Sequence, residues 1–151
     1  NEDGRVISTF FMGLSNSDAA SIFSFMGENT KVEWGRMDAE SDGQKFNLIG
    51  TDHNPNGESF VSSLLFSVPD GTNVLRYDHS HPDLPGTTGE PSTPKNVAPG
   101  GDPDVYVWQN MIAKHPNISL SIFYKGDFNR CVKNGVAVPY FNGFLDYPLP
   151  K

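Results

Sequence analysis

Asn73-Val74-Leu75-Arg76-Tyr77-Asp78-His79-Ser80-His81-Pro82 is the stretch on which the fold turns. Its apolar and aromatic residues predict a strand that ends at or before Pro82, because proline lacks an amide hydrogen and restricts the residue before it. Side chains two apart on a strand share a face. His79 and His81 can therefore present both imidazoles to one metal ion. Two histidines need a third ligand and an open position to make a catalytic zinc site. An Asp at the start of the next helix can supply that ligand. Glu33, on an earlier strand, can act on a water at the metal as general base.

Working upstream, Ser15-Asn16-Ser17-Asp18 supplies capping residues for a helix whose Ala19, Ile22, Phe23 and Met26 recur at i, i+3, i+4 and i+7, with Gly27 as its end. Residues 31–37 alternate and predict a strand, with Val32, Trp34 and Arg36 on one side and Glu33 on the other. Residues 45–50 predict a second strand, Asp52-His53-Asn54-Pro55-Asn56-Gly57 a turn, and residues 60–68 an extended apolar segment. Downstream, residues 83–103 are crowded with proline and glycine and predict a long loop, a kind that in compact domains is functional or mobile. Asp102-Pro103-Asp104 predicts a helix start, with Asp102 as N-cap and Pro103 at the first helical position. Val105, Trp108, Gln109 and Ile112 carry that helix to about Lys114, and Pro116 stops it. Residues 118–124 predict a strand, and Asn134-Gly135 a hairpin between two alternating runs. The order predicts an α+β (mixed α/β) domain with a central, mostly antiparallel sheet flanked by helices.

Composition bounds the chemistry. A chain of 151 residues makes one domain, here taken as residues 1–151. Eighteen acids against eleven bases give a net charge of −7, which leaves no basic stripe for a nucleic-acid backbone. A single cysteine, Cys131, excludes an internal disulfide and any paired-cysteine zinc site, and reads as a small buried residue of the hairpin. No apolar run reaches the roughly 18–20 residues of a membrane span, and no signal segment opens the chain. The start at Asn1 and the turn-forming Asn1-Glu2-Asp3-Gly4 predict the end of a linker, so that the domain is the C-terminal part of a larger chain. His53 reads as a solvated turn residue, and Glu28, Glu58 and Glu90 as solvated loop acids. Trp34 and Trp108 read as packing residues, and His115 as a helix-terminal imidazole whose charge the dipole favours.

His79-Ser80-His81-Pro82, the upstream Glu33, and an acid-started helix leading through Pro116 into an apolar strand together resemble the JAB/MPN (JAMM) metalloprotease domain. That resemblance implies a JAB/MPN-like, cytidine-deaminase-like architecture and a zinc-dependent peptidase or isopeptidase. It implies that zinc is held by His79, His81 and a helix-starting Asp, with Glu33 activating water and Ser92 as oxyanion donor. One departure stands out. The family places its Ser three residues before the Asp, whereas the residue three beyond Ser92 is Lys95, and the acids arrive at Asp102 and Asp104. Such a lengthened loop resembles the JAB-like toxin branch of bacterial Rhs-type polymorphic toxins. Both acids are open as the third ligand; Asp102 is explained as an N-cap, and Asp104, twelve positions before Pro116, suits the family's ligand and is the expected one.

The toxin resemblance implies a protein substrate, a cognate immunity protein, and secretion or injection as part of a larger effector that acts in the target-cell cytoplasm. Nucleic acid and membrane are not expected partners. The competing readings are a metal-free JAB-fold binding module and a metal hydrolase with a non-peptide substrate, since fold does not fix substrate.

Overall fold

Three Xaa-Gly corners in the left-handed region set the antiparallel part of the sheet. Asp42-Gly43, Lys125-Gly126 and Asn134-Gly135 have φ of 51° and 74°, 50° and 85°, and 50° and 76°. Positive φ at both central residues matches the right-handed twist of the flanking strands. At Gly135 a Cβ would also lie 1.6 Å from the Pro116 carbonyl oxygen, so only glycine fits.

The computed structural model describes residues 9–56, 60–97, 102–139 and 143. Among them the strands are β1 (Thr9–Met12), β2 (Gly35–Ser41), β3 (Gln44–Thr51), β4 (Asn73–Ser80), β5 (Ser119–Tyr124), β6 (Asp127–Lys133) and β7 (Val136–Ala137). The helices are α1 (Asn16–Asn29), α2 (Phe60–Ser67) and α3 (Asp104–Lys114). The strands form one sheet in the order β1-β3-β2-β4-β5-β6-β7. Every pairing is antiparallel except β4 with β5, which is parallel. A parallel pair needs a long crossover. The loop after β4 and α3 provide it, and so bring α3 back over the end of β4.

Helices cover both faces, and the fold is the expected α+β class. On one face Ala19 and Phe23 of α1 pack with Trp34, Ile49 and Phe123. On the other, Val61 and Leu65 of α2 and Trp108 and Met111 of α3 pack on Met37, Leu48, Val74, Tyr77, Leu120 and Ile122. Beside the α1 core lies a buried charge cluster. Arg36 forks onto Asp38 (Nε–Oδ1 3.2 Å, NH2–Oδ2 2.6 Å) and stands 3.6 Å from Asp78, which is also 3.9 Å from Arg76. Burial pushes the Asp78 carboxyl up to about 6, against the pull of the Arg76 and Arg36 charges.

Several expectations are corrected. Residues 60–67 form α2 rather than an extended segment. Val61, Leu64, Leu65 and Val68 recur at i, i+3, i+4 and i+7 around three serines, a helical spacing that the extended reading passed over, and packing of Val61 and Leu65 against the sheet holds the helix. β2 begins at Gly35, so Glu33 precedes the strand and spends its amide on the Asn54 carbonyl (2.9 Å). α1 runs through Gly27 to Asn29, making Glu28 helical. Gly27 is inside because α1 lies so close to the sheet that a Cβ would sit 2.8 Å from the Phe123 ring and 3.1 Å from Ser80 Cβ. Asp102 is exposed and is not the N-cap; Pro103 holds that position and α3 starts at Asp104. His115 is buried at the C-cap of α3, where burial lowers its pKa, helped by Lys114 and opposed by a main-chain hydrogen bond with Leu65. Desolvation outweighs the helix dipole, and the imidazole is neutral rather than partly cationic. Glu58 and Asn1-Glu2-Asp3-Gly4 lie outside the described residues.

Two outcomes follow from this packing. Gly27→Ala gains about 0.5–1 kcal/mol of helix propensity but overfills the α1–sheet contact at about 1–3 kcal/mol, for a net loss of about 1–2 kcal/mol in chemical denaturation. His115 has its folded pKa below its unfolded one, so its contribution is present above the ordinary histidine value and lost as pH falls below it. His115→Gln is expected to lose less stability than the wild type between about pH 7 and pH 5, the window in which histidine ordinarily titrates.

Candidate metal centre

β4 ends on Ser80, but the His81 amide still donates to the Phe123 carbonyl of β5 (2.9 Å), so strand alternation persists one residue further. His79 and His81 consequently share a face, with their Nε2 atoms 3.0 Å apart. His79 is wedged between Tyr77 (ring centroids 5.9 Å) and the edge of Trp108 (5.7 Å). The His81 Nδ1–H donates to the Thr88 carbonyl at 2.6 Å, which leaves Nε2 as the nitrogen that faces His79 and Asp104. Carbonyl partners of this kind orient metal-ligating imidazoles and raise their basicity.

Asp104, the first residue of α3, meets this pair from the other side. Its Oδ1 is 3.6 Å from His79 Nε2 and its Oδ2 3.7 Å from His81 Nε2. Ser92 fixes it reciprocally, since the Ser92 amide donates to Asp104 Oδ2 (2.6 Å) and Ser92 Oγ accepts the Asp104 amide (2.9 Å). Ser92 thus does for α3 the capping work expected of Asp102. Burial would raise the Asp104 carboxyl, but the adjacent imidazoles of His79 and His81 hold it far below the usual carboxylate range. His81 is raised: burial lowers it, and the Asp104 hydrogen bond and charge, the Glu33 charge and the Thr88 carbonyl outweigh that.

Glu33, His79 and His81 each offer a ligand atom within 4.8 Å of the others, close enough to hold a metal ion. The donor set fits. A tetrahedral ion with bonds of about 2.0–2.1 Å keeps its ligand atoms about 3.3–3.4 Å apart. The His79–His81 separation of 3.0 Å is near that value, and the Asp104 carboxylate approaches the two imidazoles with one oxygen each, Oδ1 at 3.6 Å and Oδ2 at 3.7 Å. The cluster opens into a cleft of about 710 Å³ whose walls include Asn54-Pro55-Asn56, residues 85–88 and Trp108.

The sequence model of the family described as JAB-like toxin 1 matches residues 13–107, a span that holds Glu33, His79, His81, Ser92 and Asp104. The chain belongs to the JAB-like toxin 1 family. No curated protein and no solved structure matches the chain. Among the described residues, no helix of this JAB-like toxin domain is long and apolar enough to cross a membrane.

The structure brings Glu33, His79, His81, Ser92 and Asp104 together, while Asp102 stands exposed on the cleft wall. His53 is exposed in its turn, and Cys131 is a buried free thiol pushed up to about 12 by burial. Two contributors were not read from the sequence as site residues. Trp108 lies four residues after Asp104, so the helical period alone places it below Asp104 on one face of α3. The Thr88 carbonyl has no sequence signal, because any residue could supply it once the loop folds back.

His79→Ala and His81→Ala are each expected to abolish uptake of a divalent metal, measured by elemental analysis of the purified domain. Asp102→Asn is expected to bind metal as the wild type does.

Proposed function

We propose that this toxin domain is a zinc-dependent peptidase or isopeptidase, with zinc held by His79, His81 and Asp104. The observation that carries the reading is the facing of two imidazole Nε2 atoms and one carboxylate, with the Glu33 carboxylate in reach, in a cleft of the family-matched segment. Zinc bound there supplies Lewis acidity for a scissile carbonyl and for a water. Glu33 is the general base. Its carboxylate takes a proton from the attacking water as the new C–O bond forms, and passes it to the departing nitrogen as the C–N bond breaks. Ser92 holds Asp104 at the start of α3. Its hydroxyl hydrogen, unused in that pair, is the donor offered to the developing oxyanion. The His79 ring packs against the edge of Trp108, and the Thr88 carbonyl orients the His81 ring through its Nδ1–H.

In this reading the domain is the C-terminal piece of a Rhs-type effector, delivered into a target cell. Its partners are a protein substrate and a cognate immunity protein that covers the cleft beside residues 83–101.

The two acids do different work, and their variants separate. Asp104→Asn is expected to weaken zinc retention together with toxicity in a bacterial host that has no immunity gene. Glu33→Gln keeps shape and reach but takes no proton at neutral pH, so zinc content stays near wild type while turnover falls about 10²–10⁴-fold. A zinc-loaded Glu33→Gln domain that still kills the host would replace the peptidase by a binding module.

A further inference from the structure

Glu33 belongs to no regular element. It sits between Thr30, the C-cap of α1, and Gly35, the first residue of β2, where no ladder fixes the backbone. Four hydrogen bonds do so instead. The Trp34 amide donates to Ser80 Oγ (3.0 Å) and the Ser80 amide to the Trp34 carbonyl (2.8 Å), which ties the segment to the strand between the two histidines. The Glu33 amide donates to the Asn54 carbonyl (2.9 Å), and the Thr51 hydroxyl donates to the Glu33 carbonyl (2.6 Å).

Thr51 does more than the other three. It is the last residue of β3 and has no exposed surface. Its Oγ1 also accepts the amide of His53 (3.0 Å), a residue in the left-handed region at φ 62°. That turn delivers the Asn54 carbonyl back to the Glu33 amide and carries Asn54-Pro55-Asn56 into the cleft wall. One hydroxyl therefore closes a ring through both main-chain groups of Glu33 and the turn beside it. The strand itself asks only for a β-branched shape here, which valine supplies equally. The hydroxyl serves Glu33 and the turn.

We propose that Thr51 is a positioning residue for Glu33, holding its carboxylate within reach of the His79–His81 pair. The inference rests on the metal-peptidase reading above. It concerns a residue that touches neither substrate nor metal. A displacement of about 1 Å of a reacting group can cost about 10²-fold in rate. Removing the hydroxyl while keeping the shape is therefore expected to lower kcat without emptying the metal site.

The test compares Thr51→Val, Thr51→Ser and Thr51→Cys, each loaded with Co2+, by visible absorption and by cleavage of a quenched-fluorescent peptide library. Thr51→Val is expected to bind Co2+ with wild-type stoichiometry. Its absorption bands should move toward those of Glu33→Gln, and its kcat should fall about 10–100-fold. Thr51→Ser is expected to restore both readouts and Thr51→Cys to fall between. Adding Thr51→Val to Glu33→Gln should change the bands no further. A folded Thr51→Val domain with wild-type bands and turnover overturns the proposal, as does a loss that Thr51→Ser does not recover. Should Thr51→Val fail to fold, the ranking of Ser over Cys decides, and equality of the two overturns it. Failure of the wild type to bind Co2+ overturns the metal reading and this inference together. Co2+ binding without cleavage of any peptide overturns the peptidase alone, and the spectral comparison still decides the role of Thr51.

Discussion

The two-residue alternation at the open end of β4 governs both sides of this molecule. It sends Tyr77, His79 and His81 toward α2 and α3, where Trp108 and Asp104 wait, and sends Asp78 and Ser80 toward α1. The amide of His81 keeps pairing with Phe123 beyond the assigned strand, so the alternation survives long enough to bring the second imidazole into line. Slipping β4 by one residue would put the imidazoles among the buried Arg36 and Asp38 and turn the carboxylate of Asp78 toward the cleft. Register is thus held by the site and the core at once.

The face opposite the cleft is unusually polar for the middle of a sheet. Arg36, Asp38 and Asp78 are all buried, and burial of charges is tolerable only when they are paired. The fork of Arg36 onto Asp38 meets that condition within one strand, and Asp78 faces it from the partner strand of the same ladder. Breaking one member is costlier than the pair is worth, because it strands the remaining charge.

The candidate site is assembled from elements that are distant in sequence. β4 contributes the imidazoles, α3 the carboxylate that faces them, the segment before β2 the Glu33 carboxylate, and the long loop both the Thr88 carbonyl and Ser92. The parallel pairing of β4 with β5 makes this convergence possible, because its crossover returns α3 above the end of β4. Ser92 compensates for the length of that loop. It lies twelve positions before Asp104 in sequence, yet two reciprocal hydrogen bonds hold them side by side.

The sequence by itself determined the strand that carries His79 and His81, the α3 helix and the Asn134-Gly135 hairpin, because each rests on a local rule: alternation, helical period or turn chemistry. Residues 60–67 carry Val61, Leu64 and Leu65 at helical spacing, but so short a stretch of apolar residues also suits a strand, and the sheet beneath them chose the helix. The choice between Asp102 and Asp104 as the acid beside the histidines also needed the fold. Local capping rules favoured Asp102 as the cap, but the reach of Ser92 across the loop supplied the cap instead and turned the Asp104 carboxylate onto the imidazoles. The seat of Glu33 was decided by tertiary structure alone. Its backbone is held by Thr51, Asn54 and Ser80, and hydrogen bonds between residues 18 to 46 positions apart leave no trace in the local pattern of either partner.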